Sequence, residues 1–217
     1  LLYVMLLGMT SAFSQICFQE GRLWFEVTSA NTVSVYTKSG VGGELKIPAT
    51  VTYAGKQYTV TAIKSKGLSK CFYVNSLIIP NTVTTIGDSV FGFDGSELES
   101  LTIPSSVTKI GTDAFLHAQL NSLVVEDGNI FYDSRNNCNA LIETRTNTLL
   151  KASNNAFLPN GVRRIEQNAF CRCDSISETN MPNTVTSVGD WAFTGCRSLK
   201  TVKLSASLTD IGKGAFS

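Results

Sequence analysis

One block of six residues returns along the chain and fixes what it can fold into. Ile86-Gly87-Asp88-Ser89-Val90-Phe91 recurs at Ile110 to Phe115, Ile165 to Phe170, Val188 to Phe193 and Ile211 to Phe216, with a weaker copy at Ile63 to Leu68. Successive copies are offset by 23, 24, 55, 23 and 23 residues, so the period is 23 with one long interruption. A second block travels in step, as Leu77-Ile78-Ile79-Pro80, Leu101-Thr102-Ile103-Pro104, Thr179-Asn180-Met181-Pro182 and Val202-Lys203-Leu204-Ser205, with half-copies at Ile47-Pro48 and Leu158-Pro159. All five prolines fall at this one repeat position. Self-similarity at such a period marks a chain that buries its core by stacking layers, because a single unit of this size cannot bury its own apolar face.

Each period reads L-x-x-L-x-I-P-x-x-V-x-x-I-G-x-x-A-F, as in Leu98, Leu101, Ile103, Pro104, Val107, Ile110, Gly111, Ala114 and Phe115. The alternation at Leu101 and Ile103 predicts a short strand with two inward side chains, which the donor-less proline ends. The Gly-x-x-Ala-Phe segment is too short for a long helix and predicts a single helical or 3₁₀ turn. Phe91, Phe115, Phe170, Phe193 and Phe216 are expected to stack as an internal spine.

Two irregular regions flank and break the repeats. Residues 15–62 read as a β-rich cap: Leu23, Phe25 and Val27 alternate, Ser29-Ala30-Asn31 turns, and Val33, Val35 and Tyr36 return. A second hairpin pairs Val51-Thr52-Tyr53 with Tyr58-Thr59-Val60 around Ala54 to Gln57. The repeat array proper is assigned to 63–217. Within it, about 126–158 reads as a hairpin, Ala140 to Thr144 and Thr148 to Lys151 around Arg145-Thr146-Asn147, that projects from one layer or replaces part of it. Insertions in repeat arrays often carry binding; an enlarged structural layer is the competing reading. Ser217 lies one residue past a repeat phenylalanine, from which a longer C-terminal array is expected.

Residues 1–14 read as the remainder of a secretory signal, an apolar run followed by small residues at Ala12 and Ser14. The alternative is a buried first strand. The run is shorter than the roughly 20 apolar residues of a transmembrane helix, so no membrane insertion is expected beyond it. A lipid anchor at Cys17 would want a small residue where Ile16 stands.

At this point the residues resemble a known family. Ile-Pro-x-x-Val-x-x-Ile-Gly-x-x-Ala-Phe followed by Cys-x-Ser-Leu, here Cys196-Arg197-Ser198-Leu199, is similar to the BspA-like leucine-rich repeats of bacterial surface proteins, over roughly Ile47 to Ser217. The resemblance implies a leucine-rich repeat solenoid of short parallel strands and short helical or 3₁₀ turns, closed by an N-terminal β-hairpin cap. It also implies secretion or outer-surface display, and adhesion to host matrix proteins or other cells. Lys64, Glu166 and Ser205 depart from the pattern in single layers.

Chemistry is sparse. With 18 Lys plus Arg against 17 Asp plus Glu the net charge is +1, and there is no run of like charge to hold nucleic acid or an anionic membrane. His117 is the only histidine and falls in a variable loop, so a Ser-His or Cys-His mechanism has nothing else to draw on. Cys71, Cys173 and Cys196 share a repeat position and read as small core fillers. Cys173 and Cys196 are expected about 5 Å apart by strand spacing, within disulfide reach if their vectors permit. Cys171-Arg172-Cys173 lacks the second pair or histidines of a zinc site, and the acidic, Asn-rich stretch from Glu126 to Asn137 does not fit a calcium-loop spacing. No catalytic, cofactor-binding or metal site is therefore assigned, and the chain is not expected to be an enzyme. The candidate binding face is the outward row of the strands: Ser76, Ile78, Ser100, Thr102, Ser122, Val124, Glu178, Asn180, Thr201 and Lys203. Its expected partner is an extracellular protein or glycan; a structural spacer for another domain is the alternative.

Overall fold

The computed structural model describes residues 16–91 and 97–217. The proposed signal at 1–14 lies outside the described residues. The chain opens with β1 (Cys17–Glu20), β2 (Leu23–Val27) and β3 (Thr32–Tyr36), which pair antiparallel in sequence order. Then come β4 (Gly42–Lys46), β5 (Thr50–Tyr53) and β6 (Lys56–Ile63), the last two forming a hairpin with Tyr53 opposite Lys56. Its turn is Ala54-Gly55, both at positive φ (50° and 78°), the two-residue geometry whose twist suits a hairpin. It is therefore tighter than the four-residue connection expected from sequence.

From here each layer contributes two strands. One set is β7 (Tyr73–Ile78), β9 (Ser100–Ile103) and β11 (Ser122–Val125); with β4 it forms a four-stranded parallel sheet in the order β11-β9-β7-β4. The other is the two-residue pairs β8 (Thr85–Ile86) and β10 (Lys109–Ile110), which extend β3 and β6 in parallel. Leu45, Leu77, Leu101 and Leu123 point inward and are buried, as are Ile86, Val107 and Phe91.

The interruption supplies β12 (Tyr132–Asp133), β13 (Ala140–Glu143) and β14 (Thr148–Ala152), two successive antiparallel pairings that include the expected hairpin around Arg145 to Asn147. Beyond it the two-strand layers resume as β15 (Arg164–Ile165), β16 (Glu178–Asn180), β17 (Ser187–Val188), β18 (Thr201–Lys203) and β19 (Asp210–Ile211). Here β14, β15, β17 and β19 are parallel neighbours, and β16 pairs with β18. The hairpin is a wall between two cores: Leu141 and Leu150 pack into the N-terminal one, Ala140, Ile142, Leu149 and Ala152 into the C-terminal one.

The Gly-x-x-Ala-Phe segments are not helical or 3₁₀, contrary to expectation. Each is a turn whose third residue is left-handed: Lys66, Ser89, Asp113, Asn168 and Trp191 at φ 45–58°, and Gly214 at 60°. A left-handed residue interrupts a helix and turns the following amides toward the next layer. Phe91 N–H donates to Ala114 O, Phe170 N–H to Ala192 O and Phe193 N–H to Ala215 O, at 3.3, 2.7 and 2.7 Å. The turns thus form a third interlayer ladder beside their local closures, such as Leu116 N–H to Asp113 O and Cys171 N–H to Asn168 O. The one 3₁₀ turn among the described residues, Arg135–Asn137, lies in the interruption.

This ladder explains the repeat glycine and its exceptions. A Cβ at Gly87 would sit 2.3 Å from Ser65 N, at Gly111 2.5 Å from Asp88 N, at Gly189 2.6 Å from Gln167 N and at Gly212 2.4 Å from Asp190 N. Each glycine gives way to the projecting turn of the layer before it. Where the preceding turn is short, the constraint disappears. Thr37 N–H donates to Gly67 O while Val35 pairs with Ile63, and Ala152 N–H donates to Ala169 O while Leu149 pairs with Ile165. Those two layers pass from strand to ladder without a projecting turn, and the next layers carry Lys64 and Glu166 in place of glycine.

The phenylalanine spine is consequently broken. Phe91 and Phe115 lie 6.4 Å apart at a 39° tilt, while Phe170, Phe193 and Phe216 are near-parallel at 4.6 and 5.2 Å. Ala152 holds the ring position of the layer between the two runs.

Candidate functional site

The strands of the four-stranded sheet place their outward residues in two straight rows. Parallel in-register pairing aligns Glu44 with Ser76, Ser76 with Ser100, and Ser100 with Ser122. Two residues on, Lys46 aligns with Ile78 and Thr102 with Val124, so Lys46, Ile78, Thr102 and Val124 form the second row. Ser100, Thr102, Ile78 and Val124 are exposed and Ser76 and Ser122 half-buried. Ile78 and Val124 keep 41% and 44% of their surface accessible, so two aliphatic side chains stand in solvent along this row, Val124 at its end. Glu178, Asn180, Thr201 and Lys203 are exposed as well, but they sit on the separate β16–β18 pair, where Glu178 aligns with Thr201 and Asn180 with Lys203. The ten residues thus lie on two surfaces, six on the first and four on the second.

The break between them is built by side chains. Leu123 N–H donates to Asn139 Oδ1 (3.4 Å) and Val125 N–H to Ser134 Oγ (3.0 Å), so two side chains take the bonds that a further strand would make. On the other sheet Tyr132 does the same, its hydroxyl accepting Ile110 N–H at 2.9 Å. Burial pushes the Tyr132 phenol up from its ordinary value, which keeps the hydroxyl un-ionised. Glu44 and Lys46 also belong to the face and are absent from the sequence-based set. Their signal was the half-copy Ile47-Pro48, which puts Lys46 at the repeat position of Ile78 and Thr102 and Glu44 at that of Ser76 and Ser100.

The acidic, Asn-rich stretch is occupied by the fold. Glu126 Oε2 accepts Ser105 N–H at 3.0 Å, Asn129 Nδ2 donates to Pro104 O and Val107 O, and Asp133 holds Arg135 through both carboxylate oxygens at 2.7–3.1 Å. Arg135 in turn donates to Asn147 Oδ1 at 2.8 Å. The Glu126 and Asn129 bonds stitch the interruption to the layer before it, and those of Asp133, Arg135 and Asn147 tie the interruption to itself. No group of three or more His, Cys, Asp or Glu side chains among the described residues converges as a metal would require. His117 is half-buried in the turn after Phe115.

The repeat-position cysteines are free thiols, as are Cys17, Cys138 and Cys171. Cys71 and Cys173 are buried. Cys196 Sγ donates to Phe170 O at 3.0 Å, and Cys173 Sγ to Ala152 O at 3.7 Å. Burial pushes the Cys173 thiol up to about 12 and the Cys196 thiol to about 11. Both are therefore poor nucleophiles at neutral pH, since the thiolate is the reactive form.

Comparison with known proteins accords with this architecture. The chain resembles a leucine-rich cell surface protein from Faecalibacterium prausnitzii (19% identity, TM-score 0.58, covering 91% of this chain and 79% of that one). It is also similar to a leucine-rich repeat protein from Bacteroides ovatus (18%, TM-score 0.54, 90% of this chain and 55% of that one) and to the pneumococcal vaccine antigen PcpA (15%, TM-score 0.52, 93% and 78%). The chain thus spans about half of the Bacteroides ovatus protein. At these identities the likeness concerns the fold. No curated protein matches the sequence. The pattern of the BspA type leucine rich repeat region matches residues 49–142 and 142–217 in six copies, and the chain belongs to that family.

Proposed function

We propose that the chain is a secreted or surface-displayed binding module that takes an extracellular protein or glycan on its strand face. The observation that supports this most is the double row on the four-stranded sheet: a flat field of small hydroxyls beside a row carrying Ile78 and Val124. Repetition extends such a field over successive layers, and the exposed aliphatic Ile78 and Val124 offer apolar contacts among polar neighbours. The descriptions of two relatives, a cell surface protein and a vaccine antigen, fit an exported protein.

The test is an array of matrix proteins and of host and bacterial glycans, probed with the purified chain at two salt concentrations. Because the first row set is nearly uncharged, binding is expected to change little with salt. Ile78→Glu combined with Thr102→Glu and Val124→Glu should abolish it while leaving the melting temperature within a degree or two, since these side chains lie outside the core. Retained binding would refute this face. A blank array with well-folded protein would favour the spacer.

A further inference from the structure

The short turn of the hairpin layer leaves a gap in the row of projecting turns. From Ile165 to Phe170 the chain takes five steps between strand and ladder position; from Leu149 to Ala152, which hold the same two positions, it takes three. With nothing projecting from this layer, the turns on either side face each other across a cleft of about 340 Å³. Asp113 closes on Asn168 across it, Oδ1 to Nδ2 at 3.4 Å, although 55 residues separate them. Tyr132, Leu141 and Leu150 supply apolar lining, and Glu143 and Glu166 add carboxylates.

Lys151 also lines this cleft. It takes the repeat position filled by Ala114 and Ala169 in the neighbouring layers, one residue before the alanine that replaces the spine phenylalanine. It is 5% exposed, and its ammonium nitrogen has a single long contact, 3.4 Å to Leu116 O. A lysine with three donors and one marginal acceptor is poorly solvated as a cation. Burial pulls it well below the ordinary lysine range, although Cys173, Cys171, Cys196 and Asp113 lie near enough to oppose the shift in their charged forms. The free amine, not the ammonium, carries a nucleophilic lone pair, and desolvated lysines in apolar pockets are the ones that add to carbonyls.

We propose that Lys151 is a carbonyl-capturing residue, whose amine condenses with a small aldehyde admitted to this cleft. In the step, the Nζ lone pair attacks the carbonyl carbon and forms the C–N bond as the C=O π pair moves onto oxygen, which takes up one of the two amine protons. The C–O bond then breaks, the hydroxyl leaves as water with the other amine proton, and the nitrogen lone pair closes the C=N bond. No oxidant or reductant is consumed. Protonated on nitrogen, the adduct is a cation, and the Asp113 carboxylate, near enough to act on the Lys151 nitrogen, favours that charge. The site lies among the turns and stands independently of the strand-face reading.

The experiment uses the full chain and glycolaldehyde at neutral pH, with cyanoborohydride to fix the adduct and peptide mapping to read each lysine at early times. Lys151 is expected to be modified severalfold ahead of exposed Lys200, because burial favours its free amine, and to lose that lead in denaturing urea. Lys151→Met fills similar volume without an amine; it should melt normally and lose the early adduct. Modification of Lys151 no faster than Lys200 in the folded chain, or an early adduct that survives in the methionine variant, overturns the proposal.

Discussion

The layers before the hairpin and those after it are written in the same 23-residue unit, yet they are held differently at their ends. The N-terminal set finishes on side chains: Tyr132, Ser134 and Asn139 take the bonds that another layer would have made. The C-terminal set starts on backbone pairing, Thr148 and Leu149 of β14 lying in parallel register with Arg164 and Ile165. In the layer of residues 202–217, Leu204, Ile211 and Phe216 are exposed at 47%, 52% and 42%, although their counterparts one layer earlier, Met181, Val188 and Phe193, are buried. A residue's worth in a stacked fold therefore depends on which layers flank it, more than on its own identity.

The largest effect should come from the ring run after the hairpin. Phe170 is fully buried and stacks on Phe193, so Phe170→Ala should cost about 3 to 5 kcal/mol. The same change at Phe216, stacked on one side only and 42% exposed, should cost less than half as much. Urea melts of the two variants decide it. Equal losses would break the comparison, and a loss under about 1 kcal/mol at Phe170 would remove the ring run from the core.

Next in size is the contrast between glycine and its exception. Gly189→Ala drives a Cβ to 2.6 Å from Gln167 N, and backbone must move, for which about 1 to 3 kcal/mol is expected. Glu166→Ala at the equivalent position meets no projecting turn and should stay within about 0.5 kcal/mol. Thermal melts of the pair would show whether the short turn of the hairpin layer is what frees Glu166.

The same two positions show how far the sequence could be read. Period, strand rows and the phenylalanine position were legible because each repeats with its neighbours, and the hairpin of the interruption because turn residues separate two apolar runs. Lys64 and Glu166 looked like isolated departures, since the cause lies in a missing turn one layer away, where Thr37 and Ala152 carry no recognisable motif. The helical turn was expected because Gly-x-x-Ala-Phe is short. Its third residue, Lys66, Ser89, Asp113, Asn168 or Trp191, gives no common hint of a left-handed backbone. The candidate face follows from sequence as ten alternating positions, but their division into six and four depends on Asn139 and Ser134 acting as strand substitutes.

That substitution is itself open to test. Tyr132→Phe deletes only the hydroxyl that accepts Ile110 N–H and should cost about 1 kcal/mol, the typical net value of one such bond. If the hydroxyl closes the N-terminal set, amide exchange should quicken at Ile110 in the variant and stay unchanged at Ile165, whose layer pairs through backbone. Equal changes at both would mean that the two sets unfold as one unit.

The smallest effect sharpens the comparison at the left-handed position. Ser89 holds φ 45°, a conformation that costs an L-residue roughly 1 to 2 kcal/mol and costs glycine nothing, whereas glycine gives back about 0.5 to 1 kcal/mol of chain entropy. Ser89→Gly should therefore stabilise the N-terminal set by about 0.5 kcal/mol. Asn168 holds φ 58°, but asparagine tolerates this region and its amide also reaches Asp113. Asn168→Gly should bring no gain and should lose the bond across the cleft. Opposite signs in paired melts would separate backbone strain, shared by every layer, from the bridge that only the shortened turn makes possible; a matching gain at both positions would mean that the Asn168 amide contributes nothing to holding the two sets together.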